Sequence, residues 1–297
     1  MDEKREETGF VAVEKIEGKT TVTRCFSKYP LKLIVPRKAC SSTSDAVWVC
    51  SLSYGGGIVS GDRILVALNI GDGCTMALTT QASTKVYKAV DSKCSEQILE
   101  AKVQRNGLLA VIPDPVTCFS NAIYSQKQFF WVSSDSNLVI VDWITSGRHE
   151  SGEIWDFELY KSSNKIFLDA NEPLLIDSVL LEQASTVSVA ERMKDYQVVA
   201  MIIVMGPKLK PIQDQIQMEV KSLMSPYFRP STARKMNSDS THGPSRPPLF
   251  ASCSLFGQEA GIVVRLLSTT TEAVYSFLRH HLASLEQFLG APPYRNR

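Results

Sequence analysis

Between residues 20 and 182 the apolar positions fall into short runs of Val, Ile, Leu, Thr and aromatic residues. The runs include "AVWVCSLS", "RILVALNI", "CTMALTTQ", "KVYKAV", "EQILEAKVQ", "GLLAVI", "AIYSQKQFFWV", "NLVIVDWITS", "EIWDFELY", "NKIFLDA" and "PLLIDSVLLE". Turn-forming residues separate them at Gly71-Asp72-Gly73, Asn106-Gly107, Pro113-Asp114-Pro115 and Asp135-Ser136-Asn137. Spacing of about ten residues with this punctuation predicts a mainly β chain built as a sandwich, barrel or stack of sheets. A further strand, "QVVAMIIVMG", ends at Gly206-Pro207. No segment of helical period and length separates the strands, which argues against a doubly wound nucleotide fold.

Two segments change period. Ile212, Ile216, Val220 and Leu223 share one helical face in residues 212–224. Val274, Phe277, Leu278, Leu282, Leu285 and Leu289 form a stronger stripe within residues 269–289, which predicts one helix about 30 Å long. Thr269 and Glu272 have the spacing of a capping box, and Gly290 followed by Pro292-Pro293 supplies a stop. The Ser-, Pro- and Arg-rich stretch at about 229–248 reads as a mobile insert and residues 1–10 as a disordered tail, leaving 11–297 as a single domain.

Composition narrows the function classes. The chain has 297 residues, 44% hydrophobic and 21% charged, in the range of soluble globular proteins. A net charge of +1 gives no electrostatic reason to expect nucleic acid or an anionic membrane as partner. The longest apolar run, Val198 to Met205, is eight residues, far from a bilayer span. The charged start, Met1 to Glu7, opens no signal peptide, so a cytoplasmic location is expected. The seven cysteines lie no closer than ten positions apart, which fits reduced core thiols better than a zinc knuckle or a redox pair.

The stretch "SLSYGGGIVSGDR" (Ser51 to Arg63) tests the phosphate-loop idea and fails it. Gly57 and Gly61 are four apart, and Asp62 and Arg63 stand where a phosphate loop has Lys and Ser or Thr. Gly55, Gly56, Gly57 and Gly61 are then expected to serve a tight turn, with Asp62 bonding turn amides. No nucleophile elbow is present. Of four histidines, His242 falls in the insert, and His280 and His281 are helix neighbours whose side chains should diverge. His149 lies beside Arg148, Glu150 and Glu153 in a polar turn. No His/Cys set has the short spacing of a transition-metal site. Among acids in apolar strands, Glu153, Asp156 and Asp177 are expected to face solvent, whereas Asp142 in "LVIVDWI" is expected to be buried and to need a partner, with Arg148 the candidate.

Taken whole, "GGGIVSGDRILVALNIGDGCTMALTTQASTKVYK" resembles the UreD (UreH) family of urease accessory proteins. The resemblance continues through "PDPVTCFSNAIYSQ", "DWITSGRHESGEIWDFE", "LLIDSVLLE", "ASCSLFGQEAGIVVRLLS" and the closing "LGAPPYR". It covers most of residues 20–295, and the insert and C-terminal wording look like the plant branch.

The resemblance implies a non-enzymatic chaperone. Such a protein binds apo-urease and, with UreF and the GTPase UreG, helps deliver Ni²⁺ to the urease active site. It further implies a stacked two-sheet, β-helical fold with about two α-helices in the C-terminal third. A symmetric complex with two copies of each accessory subunit is expected, with no cofactor held tightly and Ni²⁺ only in transit. A conduit wants sites strong enough to admit an ion and weak enough to release it, and scattered oxygens suit that better than a His/Cys cluster. On this expectation Asp62, Asp142 and Glu153 are candidate stations for nickel, with Thr80 and Gln81 weaker ones. Gly55, Gly56, Gly57, Gly61 and Arg148 support the turns around them. The alternative from another class is a β-rich hydrolase pairing Glu153 with Asp142 as acid and base, in a cleft lined by Trp131, Trp143 and Trp155.

Overall fold

In the computed structural model, the described residues are 6–36, 44–169, 172–184, 186–228 and 247–294. Two sheets carry the fold. The first orders its strands as β14 (Glu172–Glu182), β13 (Leu159–Leu168), β11 (Ile123–Val132), β8 (Ser95–Val103), β5 (Arg63–Ile70), β1 (Gly9–Ile16) and β2 (Lys19–Ser27). The second orders β16 (Leu249–Phe256), β17 (Gly261–Ser268), β15 (Val198–Met205), β12 (Asn137–Thr145), β9 (Leu108–Val111), β6 (Thr75–Thr80), β4 (Val47–Ser53) and β3 (Leu31–Ile34). Two short strands, β7 (Thr84–Val86) and β10 (Val116–Cys118), join the second sheet beside β12.

From β4 to β13 the main strands alternate between the sheets, and neighbours within each sheet are parallel. The chain therefore winds as a solenoid-like stack, and antiparallel strands finish its ends.

Strand alternation sorts the side chains into two cores. Between the sheets lie Val66, Leu68, Met76, Phe130, Ile140 and Ile166, among others. On the outer face of the second sheet, Val139, Val141, Trp143, Ile202 and Val264 meet the helices. The second sheet is covered on both faces, so a strand such as β12 reads as an unbroken apolar run.

Helices α2 (Lys210–Phe228), α3 (Thr271–His281) and α4 (Glu286–Leu289) provide the outer cover, and a fourth, α1 (Val189–Met193), precedes β15. The predicted stripe on α3 and α4 is buried throughout, at Val274, Phe277, Leu278, Leu282, Leu285 and Leu289. The single 30 Å helix is corrected: α3 ends at His281, and a 3₁₀ turn at Ala283–Leu285 leads into α4. Thr270, not Thr269, caps α3, accepting from Ala273 N at 3.3 Å. Gly290 closes α4 in the left-handed region, as its position predicted.

Further corrections come from packing. On α2 the buried face is Ile212, Ile216, Val220 and Met224, while Leu223 is 44% exposed. The segment "EIWDF" is a loop, because Trp155 takes a positive φ of 55° and delivers its ring into the core from there. Strand β1 already begins at Gly9, inside the segment read as tail. Residues 1–5 and 229–246 of the expected tail and insert lie outside the described residues.

The two faces of α2 make a stability test. Ile216→Ala should cost about 2–4 kcal/mol and Leu223→Ala less than about 0.5 kcal/mol, read as urea unfolding midpoints. Equal losses would contradict the observed helix face.

Candidate functional site

The interior is apolar along most of its length and turns polar at one end. In the first sheet, Gln97, Gln126 and Ser162 stand in one cross-strand row, and Gln128, Asn164 and Asp177 in the row two residues on. All share the strand phase of the core residues Phe130 and Ile166, so they point between the sheets. Ser51, Thr80 and Asp142 have the same inward phase in the second sheet, as continuations of Val49, Leu78 and Ile140.

Asp142 is the hub. Its Oδ1 accepts from Gln126 Nε2 at 3.0 Å and Tyr160 OH at 3.4 Å. Its Oδ2 accepts from Ser162 Oγ at 2.5 Å and Asn164 Nδ2 at 2.7 Å. The Tyr124 hydroxyl lies between Gln97 Oε1 at 2.9 Å and Gln126 Oε1 at 3.2 Å, continuing the network across β11 to β8. Burial pushes the Asp142 carboxyl above the ordinary range, and the bonds from Ser162, Asn164, Gln126 and Tyr160 pull it back. Its partners are all neutral, so the expected pairing with Arg148 is not formed.

Beside Asp142 lies a cavity of about 60 Å³, room for a few waters. Thr80, Gln97, Asp114, Gln126 and Gln128 help to line it. Thr80 Oγ1 accepts from Asp114 N at 2.8 Å, and the Tyr275 hydroxyl of α3 donates to Asp114 Oδ1 at 2.7 Å. Asp114 went unnoticed in the sequence because its two flanking prolines mark a turn. Gln126, Ser162 and Asn164 had one available signal, a polar residue in the inward phase of a strand with apolar neighbours two positions away. Asn164 Oδ1 is buried and has no hydrogen-bond partner.

The other predicted residues lie elsewhere. Asp62 braces the glycine turn, accepting from Val59 N at 2.9 Å. Gly55, Gly56 and Gly61 take positive φ of 76°, 76° and 81°, the backbone requirement that glycine meets. Gly57 serves close approach, since a Cβ there would stand 2.8 Å from the Tyr87 ring and 2.9 Å from Lys85 O. Gln81 is exposed, and neither it, Asp62 nor Glu153 lines the Asp142 cavity.

Glu153 is held by Arg148, whose Nε lies 3.0 Å from Oε2 and whose second nitrogen bonds Oε1. That bond holds the Glu153 carboxyl below the ordinary range, with burial opposing it and Ser120 N assisting. The Arg148 guanidinium lies 4.1 Å from the Phe119 ring centroid, and Phe119 meets Tyr87 edge-on at 5.2 Å. The Tyr87 hydroxyl then donates to Gly55 O at 3.2 Å. Tyr87, Phe119 and Arg148, from separate stretches of the sequence, thus converge on one surface and line an open hollow of about 550 Å³.

Asp142 borders the interior cavity and Glu153 does not, so the two carboxylates of the hydrolase alternative do not line that cavity together. Nor do the tryptophans line one cleft: Trp143 packs under the helices, Trp155 lies between the sheets, and Trp131 stacks with Phe129 and Phe167.

This architecture defines a solenoid-like two-sheet protein with a polar seam buried at one end. The family model for the UreD urease accessory protein matches residues 8–297. Urease accessory protein D of Oryza sativa subsp. indica is 61% identical over 292 residues, covering 97% of this chain and 95% of that relative. The Arabidopsis thaliana protein of the same name is 57% identical, covering 97% and 99%. Urease accessory protein UreD of Sorangium cellulosum is 34% identical, covering 98% and 84%. The chain belongs to the UreD urease accessory protein family.

Since its folded-state value is lowered, Glu153 adds stability above the ordinary carboxylate range and loses it as pH falls through that range. Glu153→Gln should therefore unfold at lower urea than wild type at pH 7, with the gap narrowing progressively as pH falls through and below the ordinary carboxylate range. A gap that does not narrow as pH falls below that range would show that the ion pair is not its source.

Proposed function

We propose that this chain acts in urease maturation as a non-enzymatic partner of apo-urease, UreF and the GTPase UreG, and that Ni²⁺ passes through its polar seam as cargo. The role in urease maturation follows from membership of the family. The observation supporting the passage is Asp142: a carboxylate buried between two sheets, held by four neutral donors, beside a cavity.

The chemistry suits transit. A buried carboxylate without a cationic partner is costly, and an entering divalent ion would relieve that cost while favouring the charged form. The surrounding donors are amides, hydroxyls and phenols. They can exchange with the water shell of an ion without the tight grip of thiolate or clustered imidazole. Asp142 and Asp114 would bracket the cavity, with Gln126 and Thr80 between them as neutral oxygen sources. Asp62 and Glu153, the other two candidate stations, belong to the surface motifs of this reading and would act at its mouth or at a partner contact.

The test is reconstitution. Apo-urease, UreF, UreG, GTP, Ni²⁺ and bicarbonate are combined with and without this chain, and ammonia release is followed. Activity should require the chain. Asp142→Asn, which keeps the shape of the side chain, should still co-elute with its partners while slowing activation about tenfold or more. Equal activity with and without the chain would overturn the maturation role. An unimpaired Asp142→Asn would overturn the route through the seam.

A further inference from the structure

We propose that Glu219 of α2 and His280 and His281 of α3 form a binding site for one divalent transition-metal ion of the Zn²⁺ or Ni²⁺ type. The site lies on the helix-covered side of the second sheet, whereas the Asp142 cavity lies between the sheets. It does not depend on the urease role.

Adjacent helical residues ordinarily diverge, which is the expectation for His280 and His281 from sequence alone. Here His281 is the last residue of α3, and the two rings meet edge-on with centroids 4.9 Å apart. Glu219 approaches from the neighbouring helix. Its Oε2 lies 2.8 Å from His280 Nε2 and 3.5 Å from His281 Nδ1. All three donor atoms fall within 4.8 Å of one another.

The His281 nitrogen points to a ligand. Its side chain is only 7% exposed, and Nδ1 is buried with no hydrogen-bond partner. A gap of 3.5 Å to Glu219 Oε2 is too long for an N–H···O bond. It does match the separation of two donors sharing one tetrahedral ion, about 3.3–3.6 Å for metal–ligand bonds of about 2.0–2.2 Å. One ion would satisfy the orphaned nitrogen and bring the three donors to a common centre.

The surroundings favour that outcome. Two imidazoles and a carboxylate make a donor set characteristic of Zn²⁺, and imidazole also suits Ni²⁺. Gln215 Nε2 donates to Glu219 Oε1 at 2.9 Å and orients the carboxylate, while Oε2 is hydrogen-bonded with His280 Nε2, a contact that a shared ion would replace. Phe277 packs against the His281 ring at 4.0 Å and fixes its plane. Burial holds His281 below its usual value, keeping it neutral as a ligand must be, and Glu219 is held ionised by Gln215 with help from the histidines. His280 is 63% exposed, so the ion has an entry path and one position is left for water. An ion here would pin α2 to α3.

The full chain, kept reduced and stripped with EDTA, is titrated with Zn²⁺ and separately with Ni²⁺ by calorimetry, and its thermal unfolding is followed with and without metal. Co²⁺ absorption then separates this site from thiolates, which add an intense sulfur-to-metal band. His280→Asn and Glu219→Gln alter partly exposed side chains and so avoid the packing risk of changing His281; circular dichroism checks their folding. The expected result is one high-affinity ion per chain, a rise in unfolding temperature on loading, a Co²⁺ spectrum without the thiolate band, and affinity about a hundredfold weaker in both variants. Absence of binding, unchanged affinity in the folded variants, or a thiolate spectrum for the tight ion would overturn the site.

Discussion

The structure depends on one constraint: between β4 and β13 the main strands cross from one sheet to the other, and each lies parallel to the strand before it in its own sheet. Parallel register fixes which residues form rows, and the alternation of side chains fixes which rows look inward. A slip of one residue in β11 would expose Tyr124, Phe130 and Val132 and turn Phe129 and Trp131 inward. The burial of those large side chains therefore also sets the positions of Gln126 and Gln128. The polar seam inherits its geometry from the apolar core beside it.

That arrangement explains why the carboxylate at position 142 can be accommodated. An isolated charge between two sheets would be prohibitive, but the strands facing Asp142 supply two donors for each oxygen, from β11 and β13 to Oδ1 and from β13 to Oδ2. The cost of burial is offset in part, and by neutral hydrogen bonds alone. At the end of the same track, Asp177 of β14 pairs with Arg265 of β17, linking the two sheets where the seam approaches solvent. This corrects the expectation that Asp177 simply faces water.

The sequence carried the fold class well, because strand spacing, turn residues and the stripe on α3 and α4 are local signals that packing left intact. It also carried the burial of Asp142, since an acid inside an unbroken apolar run has no wet face. It could not reveal Asp142's partners, which come from strands about 16–22 positions away in sequence, nor could it place Arg148, whose guanidinium is claimed by Glu153 five residues on. The resemblance of motifs grouped Asp62, Asp142 and Glu153 as one functional set; the fold puts them in a turn, a core and a surface loop. The histidine pair shows the opposite error. Helical geometry predicted divergence, but the termination of α3 at His281 and the approach of α2 produced a cluster that only the tertiary structure creates.

The stacked architecture also governs how the molecule comes apart. In such a stack each turn touches chiefly its neighbours, so stability is distributed turn by turn. The hairpin of β1 and β2 and the outer strand β16 are terminal layers and can fray as separate units. Asp142 lies in β12, with β9 on one side and β15 on the other, and the first sheet facing it. Transient opening at either extremity therefore leaves the middle of the stack closed, and the donors around the buried carboxylate keep their places while the outer layers loosen.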